Sequence, residues 1–376
     1  MTSNALKKLA ELGQSVWYDY IRRDLYQGGE LQRLIQEDGL SGMTSNPTIF
    51  QKAIAETGLY DDAIRRLSGR GLAAGPLFEA LEVEDVRAAA DVFRPVFEGA
   101  GGGDGFVSIE VNPALTHDTS GTIDEARRLW QACDRPNVMV KIPGTSEGIA
   151  AIRACLAEGI NINITLLFSV ARHREVMEAY LSAMEQRVAA HQPADRIRSV
   201  ASFFVSRVDT LVDRKLDTMA SGGPEERRPR ARALRGKIGI ANARLAYEAF
   251  EQTFAGPRWA ALAAKGVRRQ RPLWASTSTK DPAYPPLYYV EALVAPDSVD
   301  TLPPETYALY RKEGKPQVRI HDDLAGAREA FRELAALGIE ASAVGDELEK
   351  EGEQKFVASF EQVVKAVEEK KKAVVA

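Results

Sequence analysis

The feature that most constrains this chain is a set of short β-type runs whose residues alternate strictly between apolar and polar. In Ile160-Asn161-Ile162-Asn163-Ile164-Thr165-Leu166 the isoleucines and leucine fall on one phase, and Asn161, Asn163 and Thr165 on the other. The same split sets Val107, Ile109 and Val111 against Ser108, Glu110 and Asn112, and Val138 and Val140 against Met139 and Lys141. Runs at Val16 to Asp19, Gly42 to Asn46, Phe106 to Asn112, Asn137 to Lys141, Ser199 to Val205 and Leu273 to Ser276 also read as strands, with Val299 to Leu302 a weaker eighth. Helical patterns separate them at Ile123 to Cys133, Thr145 to Leu156, Ala171 to Ala190, Val208 to Met219 and Gly236 to Phe254.

Strands alternating with helices imply a parallel sheet. An open sheet covered on both faces would have nearly continuous apolar strands, and these are not. A closed barrel turns the apolar phase toward surrounding helices and the other phase into the lumen. The expected fold is therefore an α/β (β/α)₈ TIM barrel with additional N- and C-terminal helices and a polar lumen. Residues 1–376 are expected to form one barrel domain, with 305–376 a helical extension packed on the barrel or over its mouth; its patterns lie at Ala325 to Leu337 and Phe356 to Val367, and Glu368 to Lys372 reads as a frayed end.

Polar-phase residues near the strand ends are Asp19, Asn46, Glu110, Lys141, Asn163, Thr165, Ser202 and Ser276, and the C-terminal strand ends are where barrel enzymes keep their chemistry. Lys141, between Val140 and Ile142-Pro143, is too deep in a strand to snorkel to water. Two readings stand: a structural ion pair with Glu110 or Asp19, or an amine held out of water that attacks a carbonyl. Asp19 and Glu110 could divide acid and base roles, although each alone reads as a structural acceptor. Asn46, before Pro47, reads as a turn or helix cap. Taken singly, Thr165 could cap a local carbonyl, Ser202 could simply be small, and Arg207 could pair with Asp209 or Asp213.

Charge narrows the partners. Across 376 residues, 49 Lys+Arg against 53 Asp+Glu leave a net charge of −4, without the basic excess of a nucleic-acid binder. No run approaches the roughly 18 apolar residues of a membrane span, and the N-terminus lacks a signal-type apolar block. Only two cysteines, Cys133 and Cys155, occur, which suits a reducing compartment such as the cytoplasm. His117, His173, His191 and His321 show no metal-ligand spacing, so no metal is expected. Gly101-Gly102-Gly103 precedes a strand instead of opening a helix, which makes it a linker and not a nucleotide fingerprint.

Six motifs, in order, resemble the transaldolase family: Met43-Thr44-Ser45-Asn46-Pro47-Thr48, Val107 to Val111, Val140-Lys141-Ile142-Pro143-Gly144-Thr145, Ile162 to Ser169, Ser202 to Asp209, and Trp274 to Asp281. The likeness runs from about Val16 to about Pro304 and is closest to the longer bacterial members. It implies a cofactor-free enzyme moving a dihydroxyacetone unit between sugar phosphates in the pentose phosphate pathway. By the same resemblance Lys141 is the Schiff-base lysine, Asp19 exchanges the C4 hydroxyl proton, and Glu110 with Thr165 dehydrates the carbinolamine. Asn46, Asn163 and Ser202 hold the dihydroxyacetone hydroxyls, Ser276 touches substrate, and Arg207 anchors phosphate. The chain departs from shorter relatives at Ser278, where they carry a second phosphate-binding arginine; Lys280 could supply charge but not a fork. A lyase of fructose-6-phosphate aldolase type, or a non-catalytic sugar-phosphate-binding barrel with Lys141 merely paired, are the rivals. The expected state is a monomer or homodimer.

Overall fold

The computed structural model describes residues 4–375. Eight parallel strands close on themselves in chain order: β1 Gln14–Asp19, β2 Gly42–Thr44, β3 Phe106–Glu110, β4 Val138–Pro143, β5 Ile162–Leu167, β6 Ser199–Phe204, β7 Arg271–Ala275 and β8 Ser298–Leu302. The weak eighth strand is real, and it completes the barrel by pairing with β1. Each expected helix is present with slightly moved ends, for example Thr119–Cys133, Ser146–Glu158 and Val170–Ala189. An N-terminal helix, Ala5–Glu11, precedes β1, capped by the Asn4 side chain.

The phases fall as the alternation requires. Val107, Ile109, Val138, Val140, Ile162 and Ile164 share one buried apolar cluster with Ala126, Leu129, Ile152 and Leu156 of the outer helices. The opposite phase enters the lumen, where Lys141 sits in register with Glu110 on one side and Asn163 on the other.

The expectation of a polar lumen needs correction in its lower half. Trp17, Phe106, Met139, Val200, Leu273 and Val299 are buried together in the second apolar cluster. They occupy the inward phase below the polar residues, because the interior of an eight-stranded barrel is too narrow to stay open and fills with layers of side chains. Trp17, fully buried, contributes on the order of 4 to 5 kcal/mol by removing its large apolar surface from water. Gly42 makes room for it, since a Cβ there would fall 2.5 Å from the Trp17 ring. Asn161, nominally lumenal, instead ties the foot of the barrel: its Nδ2 donates to Val138 O at 3.2 Å and its Oδ1 accepts from Arg198 N at 2.9 Å.

Two segments depart further from the local patterns. The chain between β2 and β3 contains a 26-residue helix, Ala74–Gly99, whose buried face includes Leu77, Leu81 and Phe93. The C-terminal pattern is the middle of a 35-residue helix, Ala341–Val375, which passes over the C-terminal mouth of the barrel. At one end Gly345 and Gly352 let it approach the end of β5, where added Cβ atoms would lie 3.2 Å from Ser169 Cβ and 2.8 Å from Leu166 Cδ2. Toward the other end Lys370 donates to Thr57 O at 2.9 Å and pairs with Asp61 at 3.1 Å, and Lys371 donates to Leu72 O at 2.8 Å. The Glu368 to Lys372 stretch is thus docked, not frayed, because its lysines find loop carbonyls that no local pattern announces.

Candidate active site

Short strands place their last inward residues around one cavity of about 790 Å³ at the C-terminal mouth. Asp19, Asn46, Lys141, Thr165, Ser202, Arg207, Ser276 and Lys280 line it. Glu110 and Asn163 stand just behind, and of the polar-phase set they are the ones the cavity itself does not touch.

Lys141 is 7% exposed, and its Nζ lies 3.7 Å from Glu110 Oε2 and donates to Ser45 O at 3.3 Å. The ion-pair reading and the cavity reading therefore hold together: the amine faces a carboxylate and opens on a chamber. The Phe356 ring from the C-terminal helix lies 5.6 Å from the same nitrogen. Burial raises the Glu110 carboxyl above its usual range, while Lys141 draws it back and Asp19 adds to the rise. Its two oxygens and the Thr165 hydroxyl are buried without a protein hydrogen-bond partner. Behind them Glu82, on the Ala74–Gly99 helix, is pushed well above the ordinary range by burial first and the charge of Glu110 second.

Asp19 ends β1. Thr44 donates to its Oδ1 at 2.8 Å and lies 2.7 Å from the Thr301 hydroxyl, so three strands hold one carboxylate. Burial lifts the Asp19 carboxyl, opposed first by Lys141 and then by the Thr44 bond. A second chain crosses β6, β5 and β3: Ser202 donates to Asn163 Oδ1 at 2.7 Å and Asn163 Nδ2 donates to Ser108 Oγ at 3.0 Å. Asn46 does cap a helix, accepting from Ile49 N at 3.2 Å ahead of Pro47–Glu56, and it lines the cavity as well.

Arg207 does not pair with Asp209 or Asp213. Those carboxylates accept from the Gly239 and Gly236 amides at 2.7 and 2.8 Å, and from the hydroxyls of Tyr289 and Tyr284. The Arg207 guanidinium instead lies 4.9 Å from the Phe204 ring centroid with Nη1 buried and unpartnered. Burial lowers its proton affinity, partly offset by Asp19. Two non-glycine residues at the mouth adopt left-handed backbone, Leu166 (φ 62°) at a bulge of β5 and Ser276 (φ 57°) just after β7. Such conformations cost of order 1 kcal/mol or more and collect at functional sites, where they aim neighbouring groups. Ser276 Oγ lies 2.9 Å from Ser206 Oγ beside the start of the Arg207 helix, Ser206–Gly222.

The model of the transaldolase/fructose-6-phosphate aldolase family matches residues 16–367. The chain belongs to that family. It is 47% identical to a transaldolase of Frankia alni over 365 residues, covering 96% of each chain. A transaldolase of Acidothermus cellulolyticus is 48% identical over 97% of this chain and 96% of its own length, and transaldolase 2 of a Nostoc strain 43% over 99% of both. Several lining residues of this family member were not legible as site residues. Thr44 was within reach, since it shares the inward phase and lies in the Met43 to Thr48 motif; Thr301 sits in the weakest strand signal. Lys355, Phe356 and Ser359 line the cavity from the C-terminal helix, and nothing in their local sequence marks them.

Proposed function

We propose that this chain is a transaldolase working through an imine on Lys141. The observation that carries the reading is a strand lysine opening on the cavity with Glu110 at 3.7 Å and Asp19 lining the same cavity. The neutral Lys141 amine adds to the C2 carbonyl of a ketose phosphate, sedoheptulose 7-phosphate or fructose 6-phosphate. Glu110, with Thr165, returns a proton to the carbinolamine oxygen, and water leaves to give the protonated imine. A buried carboxyl with raised proton affinity suits that exchange.

Asp19 then takes the C4 hydroxyl proton. The C3–C4 bond breaks, its electron pair passes into the imine to form an enamine, and the aldose phosphate departs. When glyceraldehyde 3-phosphate or erythrose 4-phosphate enters, the enamine attacks the aldehyde carbon, Asp19 gives its proton to the new hydroxyl, and hydrolysis frees Lys141. The protonated imine is the electron sink, so the scheme needs no cofactor or metal. Asn46, Asn163, Ser202 and Ser276 hydrogen-bond the three-carbon unit, Arg207 holds the phosphate, and Lys280 stands nearby as a further cation. Such a step belongs to the pentose phosphate pathway in the cytoplasm; among the described residues no helix is long and apolar enough to cross a membrane.

Borohydride reduction with fructose 6-phosphate should add a covalent mass to the Lys141 peptide, and an unchanged peptide would sink the imine. Consumption of fructose 6-phosphate should require erythrose 4-phosphate. Appreciable glyceraldehyde 3-phosphate without an acceptor would make the enzyme a lyase instead.

A further inference from the structure

Arg207 alone leaves a phosphate ester incompletely held, since the ester presents three acceptor oxygens and close to two charges. Apart from Lys141, four more cations line the cavity: Arg22, Lys52, Lys280 and Lys355. Arg22 is committed to Asp24 through two bonds of 2.7 Å. Lys52 rides on the helix after β2, across the barrel from β6 and Arg207. Lys280 donates to Ser278 Oγ at 2.8 Å and also borders a neighbouring cleft lined by Asp209, Asp213, Asp217 and Asp281.

Lys355 differs in what it shares with Arg207. It stands on the C-terminal helix next to Phe356, the residue whose ring lies over Lys141, and four residues before Ser359, which accepts from Thr48 Oγ1 at 3.0 Å. Its Nζ donates to Glu351 Oε2 at 3.0 Å. Glu351, one turn back, lies 3.9 Å from Arg214 on the helix that starts at Ser206. The bond from Lys355 first, and the charges of Arg214 and Arg207 after it, hold the Glu351 carboxyl below its usual range. One carboxylate thus bonds Lys355 and stands beside the helix that carries Arg207, and both cations line the same cavity.

We infer that Lys355 is the second arm of the phosphate site, swinging on its flexible stem from Glu351 to a phosphate held by Arg207, and that Glu351 is the resident counter-charge the phosphate displaces. The inference rests on the transaldolase reading for the identity of the ester, not for the anion site itself. A long aliphatic stem suits an arm that must release as well as hold, and Glu351 repels the bound anion enough to speed its departure. Electrostatic recognition of this kind is read directly by an inorganic anion, without turnover.

The test is a calorimetric titration of inorganic phosphate into the full-length wild type, Lys355→Gln, Lys355→Arg and Glu351→Gln. Loss of one charge-assisted bond should weaken phosphate binding about tenfold in Lys355→Gln, with arginine restoring most of it, and Glu351→Gln should tighten binding about threefold. The KM for fructose 6-phosphate should move in the same directions. Unchanged phosphate affinity in Lys355→Gln and Glu351→Gln overturns the assignment, as does a Lys355→Arg enzyme no better than Lys355→Gln. Borohydride trapping with dihydroxyacetone, which has no phosphate, reports separately: no adduct in the wild type would strike the imine reading, while the titration still decides Lys355.

Discussion

Lys141 and Glu110 are register partners on adjacent strands, and their charged ends meet at 3.7 Å inside the barrel. Because strand pairing fixes both backbones, the pair cannot drift apart, and the carboxylate is permanently placed to exchange protons with whatever forms on the amine. Glu110→Gln should keep the fold and the Lys141 adduct but slow its formation about 10²- to 10⁴-fold, the usual contribution of a positioned acid–base group. Time-resolved borohydride trapping measures it, and an unchanged trapping rate would remove Glu110 from the chemistry.

Arg207 offers an unpartnered, buried Nη1 to the cavity. Arg207→Ala should raise KM for phosphorylated substrates about 30- to 150-fold, as expected for losing about 2 to 3 kcal/mol of charge-assisted hydrogen bonding. A normal KM in that variant would move the phosphate site elsewhere.

Asp300 on β8 faces the helices, fully buried, with the Thr277 hydroxyl donating to Oδ1 at 2.9 Å and Oδ2 unpartnered. Burial pushes its carboxyl up to about 7. The folded state thus holds a proton that the unfolded chain releases near 4, and stability from this group is full at low pH and lost as pH rises through about 7, up to about 4 kcal/mol in all. Asp300→Asn should therefore match the wild type near pH 3 and exceed it near pH 8 in urea unfolding, the gap opening between about pH 4 and 7. Equal pH profiles would show that the carboxyl is not protonated in the fold.

Gly42→Ala would put a methyl 2.5 Å from the Trp17 indole, whose Nε1 donates to Asp104 Oδ1 at 2.8 Å. Overpacking of this kind costs about 1 to 3 kcal/mol. Equilibrium unfolding measures the loss, and an unaffected midpoint would mean that the barrel floor can yield.

Period-two alternation determined by itself which residues of each strand face the lumen, because successive side chains on a strand must point to opposite sides. With β-rich runs marking the strands, phase set Asp19, Glu110, Lys141, Asn163, Thr165 and Ser202 inward at the strand ends. Phase does not say how deep a residue lies, and so Trp17 and Met139, on the same phase as Asp19 and Lys141, form a dry floor instead of a polar channel. Depth comes from how far each strand is staggered against the next, a property of the closed sheet and not of any strand. Only the tertiary structure decided that Phe356 covers Lys141 and that Glu351, bonded to Lys355, stands beside the helix that carries Arg207. Those meetings join residues more than a hundred positions apart through the docking of one helix across the mouth, and a helix pattern records which face is apolar without recording what that face will meet.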